Sequence, residues 1–187
     1  MFEERLRLIT ENKEYFEQFI AHASNSIYQA LNSNKKLLFC GNGGSAAESQ
    51  HMAAEYAATL DHKRPRDGMA AISLTTDTSF ITAWSNDFGF ETIFSRQISV
   101  LAQKGDVLIC YSTSGNSKNI VNALNEALKK EMDYLIFSGS NENSDLAKIS
   151  SKKNILHVAS DKTPLIQEMH TMLGHDICYK VENLMAS

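Results

Sequence analysis

The sequence has few cysteines and no apolar run long enough to cross a membrane. Its 187 residues include three cysteines (Cys40, Cys110 and Cys178), an odd number without C-x-x-C spacing, which favours a reduced, cytosolic compartment. No stretch approaches the roughly 18 apolar residues of a membrane span. The N-terminal residues include the acids Glu3 and Glu4 and carry no apolar signal-peptide core. We therefore expect a cytoplasmic protein with no membrane partner.

Positive charge is scarce as well. The 18 basic residues are outnumbered by 22 acidic ones, which gives a formal net charge of −4 at pH 7. The sequence therefore lacks a general basic field, and we expect no nucleic-acid partner. The local basic cluster at residues 63–66 is short, and such clusters are usually solvated loops.

The chain also lacks a linker, an internal repeat and a low-complexity segment. Its 43% of hydrophobic residues suits a single domain of ordinary size. From residue 36 onward, short apolar strands alternate with helical patterns, which predicts a parallel sheet with helices on both faces. We predict one domain over residues 1–187, with an N-terminal helical arm (1–34) and an α/β core (35–187) built on a doubly wound, five-stranded parallel sheet.

The boundaries of the elements follow from the hydrophobic periodicity and the turn residues. The predicted strands span residues 36–40, 70–74, 107–111, 134–137 and 154–158. The predicted helices span 3–32, 46–61, a segment ending at Trp84, 91–101, 118–129, 144–149 and 164–183, with a turn at 86–90. Because the helix over 3–32 precedes the first strand, it is not a crossover, and its apolar face needs cover from the domain or from a second subunit.

The standard nucleotide-binding motifs are absent, but a glycine turn follows the first predicted strand. This GNGGS turn (residues 41–45) matches neither G-x-G-x-x-G nor a P-loop. Gly43 and Gly44 tolerate positive φ, and Ser45 is placed where a helix N-cap belongs. Backbone N–H groups at such a helix N-terminus favour an anion. The pattern indicates either an anion-binding turn or a tight turn without a ligand.

A second polar loop, STSGNS (residues 112–117), follows the third predicted strand. In open parallel sheets, ligands bind outside the carboxyl ends of the strands. The hydroxyl groups of this loop and the N-terminus of the following helix suit a monophosphate better than a triphosphate, because no lysine or magnesium motif accompanies them. The alternative is a serine-rich turn that only caps the helix.

Titratable side chains lie on two of the predicted helices. His51 and Glu55 are four residues apart and therefore share one helix face. The last helix carries Gln167, Glu168, His170 and His175. Glu168 and His175 align best on a helix, while Gln167 and His175 still share one broad face. The spacing leaves open a metal site, an acid–base set or individually buried histidines.

In their order and spacing, these segments resemble the phosphoheptose isomerase family, which has the SIS fold. The segments are GNGGS (41–45), His51-x3-Glu55, NDFGF (86–90), STSGNS (112–117) and Gln167-x7-His175, and the likeness covers about residues 36–180. The resemblance implies a flavodoxin-like, three-layer fold. It also implies conversion of sedoheptulose 7-phosphate to D-glycero-D-manno-heptose 7-phosphate through an enediol, at the start of heptose supply for bacterial lipopolysaccharide or capsule.

The resemblance further implies roles for individual residues. Substrate contacts are expected from Asn42, Gly43, Gly44, Ser45, Glu55, Asn86, Asp87, Ser112, Thr113, Ser114, Ser117 and Gln167. A zinc ion is expected on His51, Glu55, Gln167 and His175, which favours Gln167 over Glu168, and the expected catalytic pair is Glu55 and His175. One departure is that residues 56–60 are uncharged, whereas many family members have a basic residue soon after the glutamate.

Partners and alternatives complete these expectations. The implied partners are a phosphorylated seven-carbon sugar and three further copies of the chain, since the family typically forms homotetramers with active sites at subunit interfaces. The alternatives are a non-catalytic SIS-domain regulator of replication initiation and an enzyme acting on another phosphosugar. An acid–base pair argues against the regulator, because a scaffold does not need one.

Overall fold

In the computed structural model, which describes residues 1–186, five parallel strands form one sheet. The strands are β1 (Leu37–Gly41), β2 (Ala71–Ser73), β3 (Val107–Ser112), β4 (Asp133–Ser138) and β5 (Ile155–His157). Their order is β2-β1-β3-β4-β5, the doubly wound order of flavodoxin-like folds. The predicted fold class and the number of strands are therefore confirmed.

Within the described residues, seven α-helices connect and cover the strands. They are α1 (Phe2–Asn32), α2 (Gly44–Ala57), α3 (Thr78–Phe88), α4 (Ile93–Leu101), α5 (Lys118–Lys129), α6 (Asp145–Ile149) and α7 (Thr163–Met185). The predicted N-terminal arm is the single 31-residue helix α1. None of the helices in the described chain combines the length and the apolarity that crossing a bilayer requires.

The strands alternate their side chains between two separate cores, as the period of a strand requires. On β1, Leu37 and Phe39 join one cluster, while Leu38 and Cys40 join the other. We call the first side face one, which is covered by α1, α2 and α7. The second side, face two, is covered by α4, α5 and α6.

The N-terminal helix α1 packs on face one, mainly along α7. Phe16, Phe19 and Ile27 are buried in the same cluster as the α7 residues Leu173 and Ile177. The sequence left either the domain or a second subunit to cover the apolar face of α1. The domain itself covers the part of this face that contains Phe16, Phe19 and Ile27. Phe2, Leu6 and Tyr15 remain exposed on the single chain.

The position of the site follows from the strand order. β1 and β3 are hydrogen-bonded neighbours, with Gly41 opposite Tyr111. The chain leaves β1 through α2 toward face one and leaves β3 through α5 toward face two. This divergence opens a crevice at the carboxyl ends of β1 and β3, where doubly wound sheets bind their ligands.

Two local predictions are wrong, both because a glycine sets the boundary. Ser45 is not the N-cap of α2, since Gly43 adopts a φ of 55° at the cap position and its carbonyl accepts from the N–H of Ala46. Residues 86–90 do not form one turn, because α3 continues through Phe88 and ends at Gly89, whose φ is 92°. In both places the residue that tolerates positive φ decides where the helix starts or stops.

Candidate active site

Helices α2 and α7 lie side by side on face one and bring three predicted residues together. The Nε2 atoms of His51 and His175 are 2.7 Å apart, so one ring donates a hydrogen bond to the other. Glu55 Oε1 lies 3.7 Å from His51 Nδ1. One ligand atom from each of these three residues fits within 4.8 Å of the others. The structure thus assembles a compact group of two imidazoles and one carboxylate.

Gln167 reaches the glycine turn from the first part of α7. A β-carbon at Gly44 would lie only 2.5 Å from Gln167 Nε2, so the amide occupies space that the missing side chain of Gly44 leaves open. Gln167 and His51 line the same cavity, whereas Glu168 forms a paired hydrogen bond with Arg5 at 2.6 Å. Gln167, and not Glu168, therefore lines the cavity, while its role as a ligand stays a prediction.

A cavity of about 300 Å³ lies between the starts of α2 and α7. Its lining residues are Gly44, Ser45, Ala47, Glu48 and His51 from α2 and Gln167, His170 and Thr171 from α7. Hydroxyl, amide and titratable groups therefore line this cavity together with Gly44 and Ala47. Such a space suits a small hydroxylated ligand better than an apolar one.

Glu48 is a buried carboxyl group in this cavity that the sequence analysis did not identify. Its Oε2 accepts a 2.5 Å hydrogen bond from Thr171, and its buried Oε1 has no partner. Burial raises the pKa of Glu48, while the Thr171 hydrogen bond and nearby His51 and His175 oppose this shift. The signal in the sequence was its position seven residues before Glu55, which places both on one helix face.

His170 is the most deeply buried polar residue of the cavity, at 1% exposure. Its Nε2 lies 3.2 Å from the carbonyl oxygen of Ser138, and its Nδ1 has no partner. Burial lowers the pKa of His170 to about 4, against the opposing effect of the Ser138 hydrogen bond. His170 is therefore neutral at physiological pH and donates from Nε2 to Ser138.

The two predicted loops are joined by a pair of amide side chains. Asn42 donates to Asn119 at 2.9 Å, and Asn119 donates back to Asn42 at 2.8 Å. Asn119 lies in the first turn of α5 and is 3% exposed. This reciprocal pair fixes the GNGGS turn against the start of α5, and so against the STSGNS loop.

The STSGNS loop presents hydroxyl groups at the N-terminus of α5. Ser117 is the N-cap residue of α5, and its hydroxyl accepts a long hydrogen bond of 3.5 Å from Ser112. Ser114 Oγ accepts from the N–H of Asn116, while Gly115 turns the chain with a φ of 68°. The Ser117 side chain makes no capping hydrogen bond to the backbone of α5, so its O–H is not committed to the helix.

Asn86 and Asp87 are not brought to the cavity within this chain. Both are exposed near the end of α3, and Asn86 donates to Asp87 at 2.8 Å. The STSGNS loop also lies outside the cavity lining. Of the predicted substrate contacts, Gly44, Ser45 and Gln167 line the cavity, Asn42 joins the two loops, and Glu55 lies beside His51.

The side chains of the site suit both acid–base chemistry and a metal ion. A carboxylate such as that of Glu55 and an imidazole such as that of His175 are side chains that serve as general bases and general acids. Imidazole nitrogens with carboxylate and amide oxygens also form a donor set that suits zinc. His51, Glu55 and His175, with Gln167 beside them, therefore fit the zinc ion that the resemblance implied.

Comparison with known proteins identifies a consistent set of relatives. The family model of the SIS domain matches residues 2–138. The phosphoheptose isomerase of a Nitratiruptor species is 40% identical over 97% of this chain and 98% of its own. That of Helicobacter pylori (strain P12) is 41% identical over 95% of this chain and 90% of its own.

Solved structures give the same result. The phosphoheptose isomerase of Neisseria gonorrhoeae superposes with a TM-score of 0.89 at 36% identity, covering 97% of this chain and 95% of that one. The enzyme of Francisella tularensis gives a TM-score of 0.90 at 32% identity, covering 97% and 94%. The similarity extends over nearly the whole chain, including α1 and α7, two of the helices that cover face one.

Proposed function

The chain belongs to the phosphoheptose isomerase family of SIS-domain proteins, and on this premise we propose that it converts sedoheptulose 7-phosphate to D-glycero-D-manno-heptose 7-phosphate. The product would enter heptose supply for bacterial lipopolysaccharide or capsule. The observation that carries the proposal is the convergence of Glu55 with His51 and His175 beside the GNGGS turn. Residues 1–187 act as one SIS domain, with the arm at 1–34 and the core at 35–187.

The reaction moves one proton between two neighbouring carbons. A base removes a proton from C1 while the C2 carbonyl oxygen gains a proton, which gives an enediol. The proton then returns to C2, the O1 hydroxyl loses its proton, and the aldehyde forms with no net change in composition. We assign the carbon-bound proton to Glu55 and the proton at oxygen to His175.

The remaining residues bind and orient the sugar. Hydroxyl groups of Ser112, Thr113, Ser114 and Ser117, with the N-terminus of α5, would bind the phosphate. Asn42, Gly43, Gly44, Ser45 and Gln167 would contact the chain of the sugar at the reacting end. The Asn42–Asn119 pair supports this division, because it fixes the distance between the two loops.

A zinc ion held by His51, Glu55, Gln167 and His175 is part of the proposal. The donor set supports it, since three of the four residues already converge. When bound, zinc would polarise the oxygens of the substrate as a Lewis acid. No thiolate takes part, so we expect metal removal by a chelator to be reversible.

We further propose a cytoplasmic homotetramer whose subunits complete each other's active sites. Phe2, Leu6 and Tyr15 on α1, Phe88 at the end of α3 and Phe90 just after it are exposed on the single chain. Asn86 and Asp87 directly precede Phe88. Packing between subunits through this region would therefore bring them to the active site of a neighbouring subunit. Light scattering should give four times the 20.8 kDa chain mass, and a monomer would contradict the assembly.

The decisive experiment is incubation of the purified protein with sedoheptulose 7-phosphate and detection of the heptose aldose. We expect turnover that is lost on chelation and restored by zinc. A panel of other ketose phosphates tests the alternative of a different phosphosugar substrate. Absence of turnover on sedoheptulose 7-phosphate by the zinc-loaded protein would contradict the proposed function and favour a non-catalytic SIS-domain role.

A further inference from the structure

The basic cluster at residues 63–66 is not uniformly solvated, contrary to the expectation from sequence. Lys63 is exposed, but the Arg66 side chain is only 15% exposed. Arg66 Nε donates at 2.8 Å to Glu182, whose side chain is 5% exposed. A largely buried arginine with a buried carboxylate partner requires an explanation, because leaving water is costly for both charges.

The guanidinium of Arg66 holds the end of α2. Its Nη2 donates to the carbonyl oxygen of Glu55 at 2.9 Å, and its Nη1 donates to that of Tyr56 at 3.0 Å. These carbonyls belong to the last turn of α2, where a helix supplies no intrahelical donors. A cation at this end also interacts favourably with the helix dipole. Arg66 therefore caps the turn that carries Glu55.

Glu182 ties this cap to α7. It lies seven residues after His175, so the two side chains share one face of α7. Its Oε1 also accepts from the N–H of Leu60 at 2.9 Å, in the segment just after α2. Arg66 and Glu182 together connect the last turn of α2, with Glu55, to the helix that carries His175.

A second connection between α2 and α7 lies at the opposite end of the site. Near the start of α2, Glu48 accepts from Thr171 of α7 at 2.5 Å. Between the two ties, Gly174 packs closely against Met52, whose Sδ would lie 3.1 Å from a β-carbon at that position. The relative position of α2 and α7 is therefore fixed at both ends and in the middle.

We propose that Arg66 and Glu182 are positioning residues that hold the Glu55 carboxylate in place against His175. This inference rests on the proposed function for its kinetic readout and on the proposed zinc site, but not on turnover, for its metal-binding readout. Helix ends open more easily than helix centres. Without the Arg66 fork, the last turn of α2 would loosen, and Glu55 would lose its fixed distance to His51 and His175.

The test is Arg66→Lys, with Arg64→Lys as the matched control. Lysine keeps the charge opposite Glu182 but lacks the planar fork that serves two carbonyls and a carboxylate at once. Arg64 is 45% exposed and lies 4.0 Å from Glu182, so the same change there removes no cap. Both variants are first compared with wild type by thermal unfolding, to show that each is folded.

We expect Arg66→Lys to lower kcat by about tenfold or more while KM changes by less than about threefold, since the loss concerns positioning rather than sugar binding. Zinc affinity of the metal-free protein, measured by competition with a chelating dye, should fall by about tenfold. Arg64→Lys should match wild type in all three quantities. If Arg66→Lys does not fold, Glu182→Gln replaces it, with the same pattern expected.

Three outcomes would overturn the assignment. These are a folded Arg66→Lys with wild-type kcat, a rise in KM alone, and a loss of kcat with unchanged zinc affinity, which would locate the effect away from Glu55. A wild-type protein without turnover would contradict the proposed function instead. The zinc affinities would still test the positioning role in that case.

Discussion

Each face of the sheet has a buried hydrophobic core, the larger one on face one, but the two faces differ in their buried polar residues. On face two, α4, α5 and α6 bury isoleucine, leucine, alanine and phenylalanine, and the buried polar exception among their described residues is Asn119. On face one, the helices bury the titratable residues Glu48, His170 and Glu182. One face is therefore a support, and the other contains the chemistry.

This difference shows how one sheet meets two conflicting demands. Burying charged or titratable groups lowers stability unless each is paired. Face one pairs Glu48 with Thr171 and Glu182 with Arg66, but it leaves Glu48 Oε1 and His170 Nδ1 without partners. The apolar packing of face two stabilises the fold and offsets this loss of stability, and its side chains do not line the cavity.

The largest contrast is expected in turnover. Glu55→Gln and His175→Gln on face one should each lower kcat by about 10²–10⁴-fold, because each removes a general acid–base group at similar size. Glu126→Gln on α5 is the matched control and should retain wild-type turnover. Steady-state kinetics with zinc-loaded protein measures the effect. Near-wild-type kcat in either variant would remove that residue from the mechanism.

The converse effect should appear in stability on face two. Leu124 on α5 is fully buried, and Leu124→Ala should lower the free energy of unfolding by about 2–5 kcal/mol through lost burial and a cavity. Leu128→Ala, at a position 41% exposed on the same helix, should have little effect. We expect kcat per folded molecule to stay at the wild-type value in both. A large loss of kcat in folded Leu124→Ala would show that face two is not merely a support.

Acid should destabilise face one through His170. Because burial lowers the pKa of His170 from 6.5 to about 4, the unfolded chain binds more protons than the folded chain between these values. The contribution of His170 to stability is complete above about pH 6.5 and decreases by about 3 kcal/mol as the pH falls to about 4. The raised pKa of Glu48 acts in the opposite direction. Urea unfolding at several pH values should give a flatter profile for His170→Gln, and an unchanged profile would contradict this assignment.

The same comparison shows which features were predictable from sequence. Alternating apolar strands and helices, with side chains of period two in the strands, are local patterns, and they predicted the order and type of elements. His51 and Glu55 share one helix face and could be recognised within a single element. Gln167 and His175 were assigned with them only through the family resemblance, and the structure then brought these helices together.

The contacts that the sequence did not reveal join residues that are far apart along the chain. Arg66 and Glu182 are 116 residues apart, and Glu48 and Thr171 are 123 apart. No local pattern distinguishes Arg66 from its exposed neighbour Lys63, because the difference is only whether a carboxylate from α7 faces the side chain. The contacts of the buried polar groups on face one were therefore the hardest features to predict from the sequence.

The smallest expected effect concerns the STSGNS loop, which lies where β3 leads to face two and α5. If its hydroxyl groups bind the phosphate, Ser112→Ala or Ser117→Ala should weaken substrate binding by about 1–2 kcal/mol, or about 5–30-fold in KM. The kcat value should change little, because the proton transfers occur at Glu55 and His175 on face one.

Ser99→Ala on α4, whose hydroxyl bonds only to the carbonyl of Arg96 in its own helix, is the control for the loop variants. Inorganic phosphate should compete with the substrate in wild type and less well in Ser117→Ala. If both loop variants kept wild-type KM and phosphate inhibition, the loop would serve only to cap α5, and binding as well as chemistry would belong to face one alone.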